Sequence, residues 1–444
     1  MVSSPPVSAS SPGSKRHESC HNALNSEALF TLRPANGKRG SGIELEVMEI
    51  YRSNDIKVVA SLGFNKNVVV VTFDSYTNVR HLDRTGFAQE FLHKRGIDAL
   101  HFISRDNDWY QLADFMEAVE AARRLTTGYK KVIAYGQSMG GYAAIRFGRL
   151  VGAEQALALS PQYSIDPKTV PFEDRWRVEA KRIRKFPLER HPPAGFTKTT
   201  WICFDPYERD KVHADLYEAH TELRRILTPN SGHPCTGFLS EIGLLSSLVL
   251  RMIEGNLNAK EFQAEIRRHR KNSPQLYSTL SLSVNNLELR RHFAKKAMEL
   301  RPDVAEYISR YADVLAKQHR FEEAEAFHMK ALALDPKSPV VLFRLGETYE
   351  RSRRYEKAVS VMEALLQEAP NVSRIYKDRL NRLRRKKKTY EWAQRLWRSI
   401  SFLLGRRLSR LLLSLRGAIV QWAKGLRSRL IKKKSRRRRR RGGH

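Results

Sequence analysis

Residues 131–144 read KVIAYGQSMGGYAA and contain a serine in a G-x-S-x-G motif, between an apolar run and a helix-forming segment. A serine on a sharp strand-to-helix turn has an exposed Oγ, and the flanking glycines leave room for that turn. The N-terminus of the following helix directs positive partial charge toward an oxyanion formed beside the serine. The motif therefore predicts Ser138 as a nucleophile.

A serine hydroxyl becomes a useful nucleophile when a histidine accepts its proton and an acid orients that histidine. His233 lies in a short glycine-containing loop after the last predicted strand, so the order serine, acid, histidine of this motif is present. Asp210 is the favoured acid. Asp205 is the alternative, and it would otherwise cap the turn that follows its strand. His213 is predicted on the surface of a helix.

The oxyanion hole needs two N–H donors, and the first is predicted to be the backbone N–H of Met139, directly after the nucleophile. The second is expected from the loop after the strand at 68–73, from Asp74 or Ser75. Tyr110 follows a strand at the same predicted edge and either contacts substrate or belongs to the core. The three cysteines lack metal-ligand spacing, and neither a metal nor a cofactor is predicted.

Short apolar runs alternate with helical patterns in residues 41–258, which predicts an α/β domain with a doubly wound, mainly parallel sheet. Residues 161–196 are less regular and suit a small lid or cap. The predicted strands are 58–62, 68–73, 99–103, 132–135, 156–160, 200–204 and 226–228. The predicted helices are 86–94, 111–125, 140–150, 212–223 and 238–253.

Residues 41–258 resemble the α/β-hydrolase fold, through AYGQSMGG, the Ser138–Asp210–His233 order and the strand pattern. The resemblance implies an esterase, acyl hydrolase or acyltransferase with an acyl-enzyme on Ser138. The phrases WYQ, YGQSMGGYAA, ALSPQYSID and GHP are similar to hydrolase-like proteins of bacterial surface-polysaccharide loci, which implies an ester such as an acylated sugar or glycan precursor. The chain departs from the family pattern in lacking HGGG and in having two candidate aspartates.

Residues 259–372 show a different pattern, in which Pro302, Pro336 and Pro370 recur at 34-residue intervals. The segment from Leu342 to Pro370 has the apolar and small residues of a helix–turn–helix unit at the expected offsets. This region resembles the tetratricopeptide repeat, with two good units and a weaker one before them. The resemblance implies that the repeats dock a protein partner.

Residues 373–444 carry 27 Lys and Arg against two acidic residues, which accounts for most of the formal charge of +33. Leu, Ile and Trp fall near one helical stripe, and the chain ends in a run of arginines. A cationic amphipathic helix of this kind, over 390–441, is predicted to lie on an anionic membrane surface. Nucleic-acid binding and a solvated tail are the alternatives.

The remaining expectations concern compartment and overall role. Residues 1–40 are rich in Ser and Pro and are predicted to form a disordered leader without the apolar core of a signal peptide. Three cysteines and the lack of an 18-residue apolar run favour a cytoplasmic protein, peripheral on the inner face of the membrane. The competing hypothesis is a non-catalytic, hydrolase-like adaptor tethered by its basic tail.

Overall fold

The computed structural model describes residues 47–64, 67–190, 195–368 and 376–401, and it divides into two compact units, Met1–Val314 and Leu315–His444. The predicted leader at 1–40 and most of the predicted membrane segment at 390–441 lie outside the described residues. None of the helices in the described ranges is long and apolar enough to cross a membrane.

The first unit is built on an eight-stranded sheet in the order β1-β2-β4-β3-β5-β6-β7-β8. Strand β2 is antiparallel to both of its neighbours, and the remaining neighbours pair in parallel. The predicted mainly parallel sheet is therefore confirmed. The strands are β1 Val47–Arg52, β2 Ile56–Ser61, β3 Val68–Phe73, β4 Asp98–Ser104, β5 Lys131–Gln137, β6 Gln155–Leu159, β7 Thr199–Phe204 and β8 Glu222–Leu227.

Helices cover both faces of this sheet. Val69 and Val71 of β3 belong to one hydrophobic cluster while Val70 belongs to the other, because successive side chains of a strand point to opposite faces. A strand buried on both sides thus needs the uninterrupted apolar run seen in the sequence. The helices of this unit are α1 Gln89–Lys94, α2 Phe115–Thr126, α3 Met139–Phe147, α4 Arg177–Ile183, α5 Pro187–Arg190, α6 Asp210–Tyr217, α7 Thr236–Glu241, α8 Leu245–Glu254, α9 Ala259–His269, α10 Pro274–Ser283 and α11 Leu287–Leu300.

Three elements of the structure differ from the sequence prediction. The first strand, β1, was not predicted because it is an edge strand with no buried side chain and hence no apolar run. The helix predicted at 212–223 ends at Tyr217, and the strand predicted at 226–228 begins earlier, at Glu222. In β8 only Ile226 is buried, so the polar first part of this edge strand was not recognised in the sequence. The helix predicted at 238–253 is two helices, separated at Gly243, which has a φ of 74°.

The hydrophobic core of the sheet continues past the boundary predicted at 258/259. Phe262 and Ile266 of α9 and Leu276 of α10 belong to the same cluster as Ile133 and Leu157 of the central strands. Asn258 caps α9 by accepting hydrogen bonds from two backbone N–H groups of its first turn. These helices therefore cover one face of the sheet, while the domain boundary itself stays a prediction.

A region of paired helices follows the sheet, as predicted. It comprises α12 Ala305–Lys317, α13 Phe321–Leu334, α14 Pro339–Arg351 and α15 Tyr355–Glu368, and a further helix is described over residues 376–401. Helices α11, α13 and α15 begin at residues 287, 321 and 355, at intervals of 34 residues. In the second unit, Leu345 of α14 and Ala358 and Met362 of α15 are buried in one cluster.

Candidate active site

Ser138 lies between β5 and α3 in a strained backbone conformation, with φ 52° and ψ −117°. A Cβ atom on Gly136 would lie 2.2 Å from the Gly140 carbonyl oxygen, and a Cβ on Gly140 would lie 2.1 Å from the Phe73 oxygen. Only glycine fits these two positions, because contacts of this length with backbone atoms cannot be relieved by side-chain rotation. The sequence motif thus forms the tight strand-to-helix turn that was predicted from it.

The His233 ring stands against this serine. Its Nε2 is 3.1 Å from Ser138 Oγ, and its Nδ1 is 2.7 Å from Asp210 Oδ2. The loop that carries the ring is fixed by the Gly232 N–H, which donates to Asp205 Oδ2, and by the Cys235 N–H, which donates to a serine hydroxyl of the β6 end. The structure therefore brings the predicted serine, histidine and favoured aspartate into one hydrogen-bonded row.

Asp210 is the first residue of α6 and is fully buried. Its second oxygen, Oδ1, accepts a hydrogen bond of 2.9 Å from the guanidinium of Arg175. Burial opposes ionisation of this carboxyl, but the neighbouring His233 and Arg175 outweigh it and hold the pKa of Asp210 at about 2. The carboxylate facing His233 is thus kept ionised across the ordinary pH range.

Asp205, the alternative acid, has a different task in the structure. Its Oδ1 accepts the Tyr207 N–H at 3.0 Å, which is the turn cap expected from the sequence, and its Oδ2 accepts the Gly232 N–H at 2.8 Å. Burial raises the pKa of this carboxyl. Asp205 therefore holds the turn and the histidine loop, whereas Asp210 contacts the imidazole.

His213 is not on a helix surface, contrary to the sequence prediction. The ring is fully buried; its Nε2 lies 2.9 Å from Glu173 Oε2 and its Nδ1 accepts the Tyr163 N–H at 3.1 Å. Burial lowers the pKa of His213. The prediction failed because the surface of α6 that carries His213 is covered by residues 161–190, whose irregular sequence gave no indication of where they pack.

The irregular segment supplies side chains that the sequence did not single out. Gln162 donates from Nε2 to Ser138 Oγ at 3.0 Å, and Arg175 contacts Asp210. Trp176 packs against the His233 ring with 6.0 Å between ring centroids. The segment predicted as a lid or cap therefore contributes directly to the surroundings of the serine. The phrase SPQYSID was part of the family resemblance and was the one sequence signal for Gln162.

The predicted oxyanion donors lie on two adjoining backbones. Met139 begins α3, and the close approach of Gly140 to the Phe73 and Asp74 oxygens places the loop after β3 beside that helix N-terminus. The Asp74 N–H donates to Phe102 O at 3.1 Å and is therefore engaged in the sheet edge. Of the two residues predicted to supply the second N–H donor of the oxyanion hole, Ser75 is the remaining candidate.

Tyr110, predicted either to contact substrate or to lie in the core, is fully buried. Its hydroxyl donates to the Asp74 carbonyl at 3.1 Å, and its ring packs edge-on against Phe73 at 5.6 Å. The structure therefore places this ring in the core. Within the described ranges, no group of three or more His, Cys, Asp or Glu side chains could hold a metal ion.

A family model described as the tetratricopeptide repeat matches residues 315–378. The match includes α13 and α15, two of the three helices whose 34-residue spacing was noted above, while α11 precedes it. The chain therefore contains tetratricopeptide repeats, and this part of the sequence prediction is confirmed. No curated protein matches the chain.

Several solved structures are similar to parts of the chain. The TPR2B domain of yeast Sti1 in its pHsp70 complex is 20% identical, with 26% of this chain and 94% of that chain covered and a TM-score of 0.24. A thermophilic TPR protein of Thermus thermophilus is 21% identical, covering 32% and 79%, with a TM-score of 0.25. The capsule O-acetyltransferase of Neisseria meningitidis serogroup A is 13% identical, covering 49% and 98%, with a TM-score of 0.34. At these scores the similarities assign no activity to the chain.

Proposed function

We propose that the α/β unit is an ester-acting enzyme of the α/β-hydrolase type, in which Ser138, His233 and Asp210 form a catalytic triad. The observation that carries this proposal is the row of two hydrogen bonds, 3.1 Å from Ser138 Oγ to His233 Nε2 and 2.7 Å from His233 Nδ1 to Asp210, set on the strained turn. Nucleophile, base and orienting acid are thus within hydrogen-bond reach of one another.

The geometry supports a two-step acyl transfer. Ser138 Oγ attacks the ester carbonyl and its proton passes to His233 Nε2, which then protonates the departing alcohol. The carbonyl oxygen of the tetrahedral intermediate accepts hydrogen bonds from the N–H groups of Met139 and Ser75, at the positive end of α3. The ionised Asp210 stabilises the imidazolium that forms in between. The product of this step is an acyl-enzyme on Ser138.

The second step consumes the acyl-enzyme. Water that loses its proton to His233 Nε2 gives hydrolysis, and an alcohol in the same position gives transfer, so one site serves an esterase or an acyltransferase. The resemblance in the sequence favours an acylated sugar or glycan precursor as the ester. None of these steps calls for a metal or an organic cofactor.

Labelling with a fluorophosphonate probe tests the proposal, because the probe forms a covalent bond with an activated serine and releases fluoride. The wild-type protein is expected to be labelled at Ser138, and Ser138→Ala is expected to abolish labelling and the cleavage of acyl esters of increasing chain length. Ser164→Ala is the matched control, since this buried serine is bonded to Glu189 rather than to a histidine. Folded wild-type protein that is not labelled would favour the non-catalytic adaptor instead.

We propose in addition that the repeats bind a protein partner and that residues 390–441 attach the protein, in the cytoplasm, to an anionic membrane surface. Tetratricopeptide repeats stack into curved arrays whose surfaces suit a peptide or a helix. At the start of the proposed membrane segment, Trp392 is 56% exposed and Leu396 is 39% exposed. They lie one helical turn apart among basic residues, as in a helix that rests on lipid headgroups.

Vesicle binding by the full chain tests the membrane proposal. We expect cosedimentation with vesicles that contain anionic lipid, weakened by salt, and a clear loss in the double variant W392A/L396A. The variant M329A, which removes an exposed apolar side chain from the repeats, is the matched control. Equal binding to neutral vesicles, or tight RNA binding without lipid binding, would contradict the proposal.

A further inference from the structure

The side chain of Gln162 is fully buried and contacts the two atoms between which the proton of the proposed reaction moves. Its Nε2 donates to Ser138 Oγ at 3.0 Å and lies 3.4 Å from His233 Nε2, while its Oε1 is 3.4 Å from the same serine oxygen. Among the described residues, no other side-chain amide is hydrogen-bonded to Ser138 Oγ. Its position relative to the serine is therefore that of a donor to the reacting oxygen.

The backbone that carries this amide is fixed on both sides. The Tyr217 hydroxyl donates to the Gln162 carbonyl oxygen at 2.6 Å, and the N–H of the next residue, Tyr163, donates to His213 Nδ1 at 3.1 Å. Both partners belong to α6, the helix that begins with Asp210, and both are fully buried. Because the backbone at Gln162 is fixed by these two hydrogen bonds, its side-chain amide is held in one position, as a preorganised donor must be.

The contacts continue from His213 back to the proposed triad. Its Nε2 donates to Glu173, which accepts a further bond of 2.6 Å from Arg175, and Arg175 donates to Asp210 at 2.9 Å. Every one of these charged groups is buried and paired, which is the arrangement in which a buried polar network is rigid rather than costly. Gln162 and the triad are thus linked by one network of hydrogen bonds, which the peptide bond between Gln162 and Tyr163 closes into a ring.

We infer that Gln162 is a further catalytic residue, whose amide N–H stabilises negative charge that develops on Ser138 Oγ; the inference rests on the proposed triad. In acylation the O–H bond of Ser138 breaks, its proton goes to His233, and Oγ bonds the acyl carbon. In deacylation the bond from Oγ to the acyl carbon breaks and Oγ recovers a proton from His233. The Gln162 amide can therefore donate a hydrogen bond to Oγ in both steps. In the first step the bond from Oγ to hydrogen breaks, and in the second the bond from Oγ to the acyl carbon breaks.

Three substitutions of Gln162 in the full chain distinguish the effect of its N–H donor from the effect of its side-chain size. Gln162→Leu and Gln162→Glu keep the approximate size without an N–H, and Gln162→Asn keeps the N–H but shortens its reach. We expect the first two to lower the rate of fluorophosphonate labelling and of ester cleavage about tenfold or more, and the third to be intermediate. Gln111→Leu is the matched control: its amide donates to the Tyr142 hydroxyl, away from the serine, and labelling should keep the wild-type rate.

The outcomes distinguish this inference from the proposed function. Wild-type labelling that depends on Ser138, together with unchanged rates in Gln162→Leu and Gln162→Glu, would overturn the role of Gln162 and leave the triad standing. Faster labelling in these variants would show that the amide blocks the serine, and would overturn it equally. Absence of Ser138 labelling in the wild type would overturn both. Should Gln162→Leu fail to fold by circular dichroism, Gln162→Glu, which retains the size and shape of the side chain, gives the decision.

Discussion

Two charge clusters, one in each unit of the chain, differ in their exposure to water. Beside the proposed triad, Arg175 is paired with Glu173 and Asp210, and these three side chains are 8%, 1% and 0% exposed. In the repeats, Arg320 is paired with Glu323 at 41% and 53% exposure. Taking charges out of water costs several kcal/mol for each ion unless every group is paired, whereas an exposed pair contributes about 0–1 kcal/mol.

The difference bears on the proposed roles of the two regions. Buried, paired charges around the serine hold the imidazole and the amide in fixed positions, as the proposed reaction requires. The exposed pair Arg320–Glu323 stays in contact with water, which is compatible with the proposed docking of a protein partner. The α/β unit is therefore expected to lose activity when a single polar contact is removed, and the repeat unit to tolerate the same change.

The largest difference is expected between two carboxylates. Asp210→Asn removes the charge that orients and stabilises the His233 imidazolium, so ester cleavage should fall about 10⁴-fold. Glu325→Gln is the counterpart in the repeats: that carboxylate also has several partners, among them Arg354 and Lys357, and cleavage should be unchanged. Steady-state cleavage of one ester by the purified variants measures both.

Asp205→Asn tests the choice of acid. This carboxylate holds the histidine loop through the Gly232 N–H and does not contact the imidazole, so the loss of activity should be smaller than in Asp210→Asn. A larger loss at Asp205 than at Asp210 would reverse the assignment of the acid.

Two glycine substitutions compare the rigidity of the units. Gly140→Ala would place a Cβ 2.1 Å from the backbone oxygen of Phe73, so it should destabilise the α/β unit by about 4 kcal/mol or more, or prevent its folding. Gly346→Ala would place its Cβ 3.2 Å from the flexible side chain of Met362, and the gain in helix propensity of about 1 kcal/mol offsets that contact. Urea unfolding of both variants measures the difference, and similar losses would refute the comparison.

The charged networks are compared by removing one arginine from each. Arg175→Met leaves Asp210 and Glu173 buried without their guanidinium, which should cost about 3–5 kcal/mol of unfolding free energy. Arg320→Met breaks a half-exposed pair and should cost less than about 1 kcal/mol. Urea unfolding curves give both values. Equal values for the two variants would show that burial does not decide what a charge pair contributes here.

The sequence predicted those parts of the α/β unit whose signal is local. The motif around Ser138 needs glycine at positions that the turn itself dictates, and the continuous apolar run of β3 follows from burial on both faces. The order of Ser138, Asp210 and His233 along the chain indicated residues that the structure brings together. Each of these features is encoded within a few neighbouring positions.

The rest of the site depends on packing between distant segments. Gln162 and Arg175 lie in an irregular stretch with neither a helical nor a strand period, and His213 has no sequence feature that shows what covers it. Edge strands such as β1 lack the buried side chains that make a pattern visible. At these positions the role of the residue depends on tertiary contacts, and these contacts cannot be inferred from the neighbouring sequence.

The last comparison concerns the pH dependence of stability. His101 in β4 is fully buried, and burial lowers the pKa of its ring to about 3. The unfolded chain, whose histidine titrates near about 6.5, therefore binds more protons than the folded one between these values, so stability is complete above that range and falls as the pH is lowered through it. The loss is about 1.4 kcal/mol for each pH unit at most, and His213, whose pKa burial also lowers, adds to it.

His101→Gln should therefore reduce the slope of unfolding free energy against pH between pH 6 and pH 4, two limits set inside the window from about 6.5 to about 3. The measurement is urea unfolding at constant ionic strength, followed by tryptophan fluorescence. His319→Gln removes an exposed imidazole from the repeats and is expected to leave the slope as in the wild type. If the two substitutions change the slope equally, buried and exposed imidazoles contribute alike to the pH dependence of stability. The difference between buried and exposed charges would then not apply to protonation of histidine.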